Sequence, residues 1–72
     1  MGDFILYYGQ VHKNGYIEKK ALEINVWPGS TPEQQARKLV DYFNEQDKDN
    51  LFLFLRVEAN TIQGEINSYL RH

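Results

Sequence analysis

Residues 4–27 read FILYYGQVHKNGYIEKKALEINVW, and this stretch decides the fold because two apolar, β-favouring segments flank a single turn signal. Asn14-Gly15 is the strongest short hairpin signal, since a type I′ turn needs a positive φ at both of its central positions. The sequence therefore predicts a β-hairpin over residues 3–27, closed by a two-residue loop.

The register of this hairpin decides which side chains share a sheet face. A two-residue loop pairs Lys13 with Tyr16, and side chains alternate between faces along each strand. One predicted face carries Ile5, Tyr7, Leu22, Ile24 and Val26. The opposite face carries Phe4, Leu6, Tyr8, Glu23 and Asn25. The alternation weakens over residues 19–21, where we expect that a β-bulge resets it.

A helix is predicted to follow at residues 31–46. Thr31 fits the N-cap, Pro32 the first helical position, and Gln34 completes a capping box. The apolar residues that recur at helical spacing, and that should face the sheet, are Ala36, Leu39, Val40 and Phe43.

Two further elements complete the chain. Residues 51–59 read LFLFLRVEA, a run that is apolar on both faces up to Arg56 and predicts a third strand. Residues 61–70 predict a second helix, in which Gly64 is a local weakness. Its apolar side consists of Ile62, Ile66, Tyr69 and Leu70.

The predicted fold is α+β, in the order ββαβα, as a single domain over residues 1–72. We favour the strand order 2-1-3, because the sheet is then wholly antiparallel and its doubly apolar first strand lies in the centre. Both helices pack on one face, as in a two-layer sandwich. That face is predicted to carry Ile5, Tyr7, Leu22, Ile24, Leu53 and Leu55.

The second sheet face then has no helix to cover it. Exposed apolar clusters usually mark an interface, and an apolar edge strand without Pro or Lys invites pairing with another strand. The predicted partner-binding residues are Phe4, Tyr8, Trp27, Phe52, Phe54 and Arg56. We therefore expect a non-enzymatic protein-interaction module (an adaptor, inhibitor or regulator) that binds a protein partner or a second copy of itself, as a homodimer. In the alternative, the termini or the loop at residues 28–31 cover some of these residues, or a bulge reverses their facing.

A second hypothesis assigns the same aromatic face to single-stranded nucleic acid or a nucleotide. Aromatic side chains on an open sheet stack bases, and His12, Lys19 and Arg56 lie near these aromatics in the predicted sheet. Against this hypothesis, the formal net charge is −2 and the basic residues are scattered, whereas nucleic-acid binding favours a basic face. Residues 51–59 also lack the glycine and leading basic residue of an RNP1-type motif.

Composition excludes several other kinds of chemistry. The chain has no cysteine, so it forms neither a disulfide nor a thiolate metal site, and we expect a cytoplasmic location. No signal peptide or membrane-spanning run is evident. The two histidines, His12 and His72, form no recognisable catalytic or metal-binding pattern, and residues 47–50 lack the rest of a calcium loop. No catalytic residue, metal or cofactor is predicted.

Overall fold

The computed structural model of the protein describes residues 2–60. Its elements are β1 (Phe4–Val11), β2 (Ile17–Ile24), α1 (Pro32–Gln46) and β3 (Leu51–Ala59). The three strands form one antiparallel sheet in the order β2-β1-β3, which confirms the predicted strand order and an α+β fold. The predicted second helix, at residues 61–70, lies outside the described residues.

A three-residue turn joins β1 to β2, so the predicted two-residue loop is wrong. The Gly15 amide donates to the His12 carbonyl at 2.9 Å, and the His12 amide donates to the Tyr16 carbonyl at 2.8 Å. Gly15 has a φ of +85°, whereas Asn14 does not have a positive φ. This is a type I turn followed by a G1 bulge. Only one residue then needs a positive φ, and the Asn14 carboxamide is free to accept a hydrogen bond from the Tyr16 amide at 3.0 Å.

The extra turn residue shifts the pairing of β2 against β1 by one position. Leu6 pairs with Leu22, whereas a two-residue loop would pair Tyr7 with Leu22. A shift of one residue moves every side chain of a strand to the opposite face relative to its neighbour. The ladder between β1 and β2 has no register shift, so the bulge expected at residues 19–21 is not present.

The helix α1 begins at the predicted capping box. The Thr31 hydroxyl accepts from the Gln34 amide at 3.2 Å, and the Gln34 side chain accepts from the Thr31 amide at 3.4 Å. Pro32 lies in the first turn, where its missing N–H needs no partner. Ala36 and Val40 are buried. The helix therefore packs its apolar stripe on the sheet, chiefly over β3 and β1.

The strand β3 contains a second β-bulge, in its pairing with β1. Tyr8 pairs with Phe54, whereas the preceding residue of β1 pairs with Arg56. Leu55 is therefore an extra residue in β3. Leu55 and Arg56 are both exposed and Val57 is half-buried, so the bulge reverses the alternation of side chains in the second half of the strand.

The core lies between α1 and the sheet. Its buried residues are Leu6, Ile24, Ala36 and Val40, and the half-buried residues packed against them are Phe4, Tyr8, Leu39, Phe52, Phe54 and Val57. Leu22 and Ile24 are on the helix-covered face, as predicted. The other residues assigned to that face (Ile5, Tyr7, Leu53 and Leu55) are on the opposite face, so this part of the prediction is wrong. Covering the aromatic side chains buries more apolar area than covering the aliphatic ones would.

The segment before β1 packs tightly against the ends of the other strands. The Gly2 carbonyl accepts from the Asn60 carboxamide at 2.9 Å, and the Asp3 carbonyl accepts from the Asn60 amide at 2.9 Å. Gly2 is buried, and a β-carbon added there would lie 2.6 Å from the backbone nitrogen of Ile24. Gly2 therefore allows an approach between backbones that no other residue permits without movement.

Candidate interaction surface

The outer face is the sheet face opposite α1, and all three strands contribute to it. It consists of Ile5, Tyr7, Gly9 and Val11 in β1, Ile17, Lys19, Ala21 and Glu23 in β2, and Leu51, Leu53, Leu55, Arg56 and Glu58 in β3. Its exposed large aliphatic residues are Ile17 (47%), Leu51 (53%), Leu53 (37%) and Leu55 (42%). Within residues 2–60 no helix packs on this face. The outer face is therefore apolar near the hairpin turn and carries charged residues in its middle and at its far end.

The cross-strand pairing orders the outer face into rows. Val11 pairs with Ile17 on one side and with Leu51 on the other, so the row nearest the hairpin turn is wholly apolar. In the row at the far end, Ile5 lies between two glutamates of the edge strands. The outer face therefore changes from apolar to acidic along the strands.

Arg56 and Tyr7 lie in the middle of the outer face. The Arg56 guanidinium is 4.2 Å from the centroid of the Tyr7 ring, and its Nε donates to a Glu58 carboxylate oxygen at 2.9 Å. An open groove of about 510 Å³ is lined by Tyr7, Lys19, Lys20, Ala21, Leu55 and Arg56. Tyrosine and arginine beside aliphatic side chains are the residue types enriched at the energetically important centres of protein interfaces. The groove therefore combines aromatic, cationic and aliphatic side chains at one place on the sheet.

The predicted partner-binding residues divide between the two sheet faces and a loop. Four of them pack against the core under α1: Phe4, Tyr8, Phe52 and Phe54. The prediction that these aromatics form the uncovered face is wrong. Arg56 lies on the outer face, whereas Trp27 is 71% exposed in the loop that follows β2. That any of the six residues binds a partner stays a prediction, and the structure does not bring them together as one surface.

The same placement bears on the nucleic-acid hypothesis. Base stacking needs aromatic rings with an open face. The Tyr8 ring instead packs against Phe43 and Phe52, with centroid distances of 5.3 Å and 6.2 Å, and the Arg37 guanidinium lies 4.4 Å from the centroid of the Phe54 ring. These contacts do not favour base stacking on Tyr8 or Phe54.

The two edges of the sheet differ in how open they are to another strand. The edge strand β2 carries Lys19 and Lys20, and charged residues of this kind discourage strand addition. The edge strand β3 is apolar as far as Leu55, but Asn44 of α1 reaches this part of it. The Asn44 Nδ2 donates to the Phe52 carbonyl at 2.9 Å, and the Asn44 Oδ1 accepts from the Phe52 amide at 2.7 Å. A helix side chain therefore satisfies both backbone groups of one residue on the β3 edge.

Sequence reasoning missed the outer-face leucines and Asn44. The leucines alternate with phenylalanines in β3, so their presence was visible but their facing was not. Asn44 follows Ala36 and Val40 at intervals of four residues, which places a polar side chain on the apolar stripe of α1. That irregularity was the available signal, because a polar group on a buried stripe needs a hydrogen-bond partner.

The end of the sheet near the hairpin turn holds a histidine–carboxylate pair. The His12 Nε2 lies 3.0 Å from a Glu18 carboxylate oxygen, and the His12 ring stacks on Tyr16 with a centroid distance of 5.8 Å. The open depression beside them has a volume of about 650 Å³. Among the hydrogen bonds of residues 2–60, none joins a hydroxyl group to His12.

Asp47 organises the neighbouring turn between α1 and β3. One carboxylate oxygen accepts from the Asp49 amide at 3.0 Å, and the other accepts from the Asn50 carboxamide at 3.0 Å. The Asn50 side chain and then the Asp49 amide hold the pKa of Asp47 below its ordinary value of 3.8, because both donors favour the charged carboxylate. The resulting stabilisation is present above the ordinary pKa and is lost as pH falls through the lowered one. In the described part of the chain, no group of three or more histidine and acidic side chains is placed to hold a metal ion.

Comparison with known proteins identifies no relative of this chain. No protein-family model matches the chain, and no curated protein and no solved structure is significantly similar to it. Separately, α1 does not combine the length and the apolar character that crossing a bilayer requires, and no other helix occurs in residues 2–60.

Proposed function

We propose that the protein is a small non-enzymatic interaction module that associates with a second copy of itself through the outer face. The observation that carries this proposal is the exposed row of Leu51, Leu53 and Leu55 along β3. An adaptor, an inhibitor and a regulator would all use such a surface. A cytoplasmic location belongs to the same proposal, because a small domain without cysteine suits a reducing compartment.

The size of the outer face sets the strength of the association that we propose. Strands of eight residues are about 27 Å long, and three strands are about 14 Å wide, which gives about 400 Å² of flat surface per copy. Two such faces bury about 800 Å², less than the 1,200 Å² or so that stable complexes usually bury. The association is therefore weak and reversible, and it depends on protein concentration.

A second helix at residues 61–70, which completes the ββαβα order, also remains a proposal. The support comes from the apolar spacing of this segment and from the space that the sheet offers. α1 lies chiefly over β3 and β1, while Leu22 of β2 is 37% exposed on the same face. A second helix beside α1 would cover Leu22, place both helices on one face and leave the outer face open.

The proposed association is tested by placing a charge at the centre of the leucine row. In Leu53→Glu, self-association should be lost, because burying an unpaired carboxylate in an apolar interface is unfavourable. Sedimentation velocity from about 10 µM to about 500 µM, the range of weak complexes, would measure this. For the wild-type chain, the weight-average sedimentation coefficient should rise with concentration. For the variant it should stay constant, with an unchanged circular dichroism spectrum.

Tyr42→Glu is the matched control, because Tyr42 is 54% exposed on α1, away from the outer face. This variant should associate like the wild-type chain. A wild-type chain that stays monomeric over the whole range would refute self-association. Association that persists in Leu53→Glu would show that a surface other than the outer face is used.

A further inference from the structure

Asn44 occupies an unusual position in α1. It lies one turn beyond Val40 on the stripe that packs against the sheet, and its side chain is half-buried. Its carboxamide gives one hydrogen bond to the Phe52 carbonyl and takes one from the Phe52 amide, at 2.9 Å and 2.7 Å. A carboxamide carries an N–H donor and a C=O acceptor like those of the backbone, so Asn44 bonds to both backbone groups of Phe52 as a residue of a neighbouring antiparallel strand would.

The backbone groups of Phe52 bond to Asn44, so they point away from β1 and toward the edge with which no strand of residues 2–60 pairs. In an antiparallel ladder, residues bonded to one neighbour alternate with residues whose groups point to the other side. Phe54 lies two residues after Phe52 and before the bulge, so its backbone N–H and C=O point to the same edge as those of Phe52. A strand that added to β3 in regular register would need the groups of both residues, and Asn44 already holds one of the two pairs.

We propose that the Asn44 side chain blocks strand addition at the β3 edge. When this side chain is removed, the edge pairs with β3 of a second copy. The choice of occupant follows from β3 itself, which has no proline or lysine over residues 51–59 and is apolar on both faces as far as Leu55. Antiparallel pairing of two such edges about a twofold axis would place the leucines of β3 beside those of the second copy on one face. On the other face, it would do the same for Phe52 and Phe54. This inference does not rest on association through the outer face.

The test replaces the Asn44 carboxamide in two ways, in a background in which association through the outer face is disfavoured. Asn44→Ala removes the side chain, and Asn44→Leu keeps a similar volume without hydrogen bonds. Both are made in an Ile17→Glu background, which places a charge on the outer face at β2, on the opposite edge from β3. Asn50→Ala is the matched control, because it removes a carboxamide bonded to Asp47 in the adjacent turn.

Sedimentation velocity and backbone amide hydrogen exchange are measured at several protein concentrations. Asn44→Ala and Asn44→Leu should each associate at least ten-fold more tightly than the Ile17→Glu parent. Their Phe52 amide should exchange faster than in the parent at low concentration and become protected as concentration rises. Asn50→Ala should behave as the parent does.

Three results would overturn the proposal. The first is that both Asn44 variants sediment like the parent at every concentration. The second is that only Asn44→Ala associates, since a cavity would then explain the effect. The third is that Asn50→Ala associates to the same extent, since general loss of stability would then be the cause. Each of these outcomes can be interpreted even if the wild-type chain does not associate through the outer face, because all variants are compared with the Ile17→Glu parent.

Discussion

Gly2, which has no side chain, allows the segment before β1 to pack closely at one end of the sheet. Its buried position against the backbone of Ile24 lets the segment before β1 reach Asn60, whose carboxamide and amide bond to the carbonyls of residues 2 and 3. The segment before β1 thereby contacts the end of β2 and the residue that follows β3. A side chain at this position meets backbone atoms, which cannot rotate out of the way.

Gly2→Ala is therefore expected to destabilise the protein by about 1–3 kcal/mol, the usual cost of forcing an extra carbon into a well-packed place. Gly9→Ala is the control, because the nearest atom to a β-carbon there is a methyl group of Ile17 at 3.0 Å, which has some freedom to shift. Urea unfolding followed by circular dichroism would compare the two variants. Equal midpoints for the two would show that the packing around Gly2 is looser than described.

At the scale of elements, the parts that local sequence determines were predictable. The capping box at Thr31 and Gln34 marks the start of α1 by itself, and the apolar run at residues 51–59 marks β3 by itself. The hairpin turn was not, because Asn14-Gly15 suits both a two-residue and a three-residue loop, and the choice depends on which face meets α1. The apolar run before Leu55 gives no sign of the bulge. The available signal is Arg56, because uninterrupted alternation would place this charged residue on the same face as Phe52 and Phe54.

The second helix is the element whose existence is most easily tested. Glu65→Pro removes a backbone donor and clashes with the preceding turn, which costs about 3 kcal/mol in a helix interior. If residues 61–70 are helical, this variant should lose a substantial part of the far-ultraviolet helix signal. Glu65→Ala serves as the control and should retain the full signal, because alanine favours helix. An unchanged spectrum in the proline variant would contradict a helix in this segment.

At the scale of the whole molecule, the sheet has two apolar faces and α1 covers one of them. That an apolar sheet face should lie open followed from the two-layer architecture alone. Which face it would be did not follow, because β1 and β3 carry large apolar side chains on both sides. The outcome was set by contacts distant in sequence, such as those of Phe43 in α1 with Tyr8 and Phe52, whose ring centroids lie 5.3 Å and 5.7 Å away.

The assignment of faces is tested by two neighbouring residues of β3. Phe54→Ala should destabilise the protein by about 3 kcal/mol, because Phe54 packs against the core and its loss leaves a cavity. Leu55→Ala should change stability by about 0.5 kcal/mol or less, because Leu55 is 42% exposed on the outer face. Thermal unfolding at low protein concentration, where association contributes little, would measure both. Similar losses for the two variants would mean that the faces are not distinguished as described.

The three-residue turn between β1 and β2 also constrains how the length of this chain can vary in evolution. Since side chains face alternate sides with a period of two, inserting or deleting one residue in the turn would move Ile24 out of the core and bring Glu23 toward it. A change of two residues would preserve the facing of both. Natural variants of this hairpin should therefore differ in length by even numbers, while single-residue insertions should accumulate in the loop between β2 and α1.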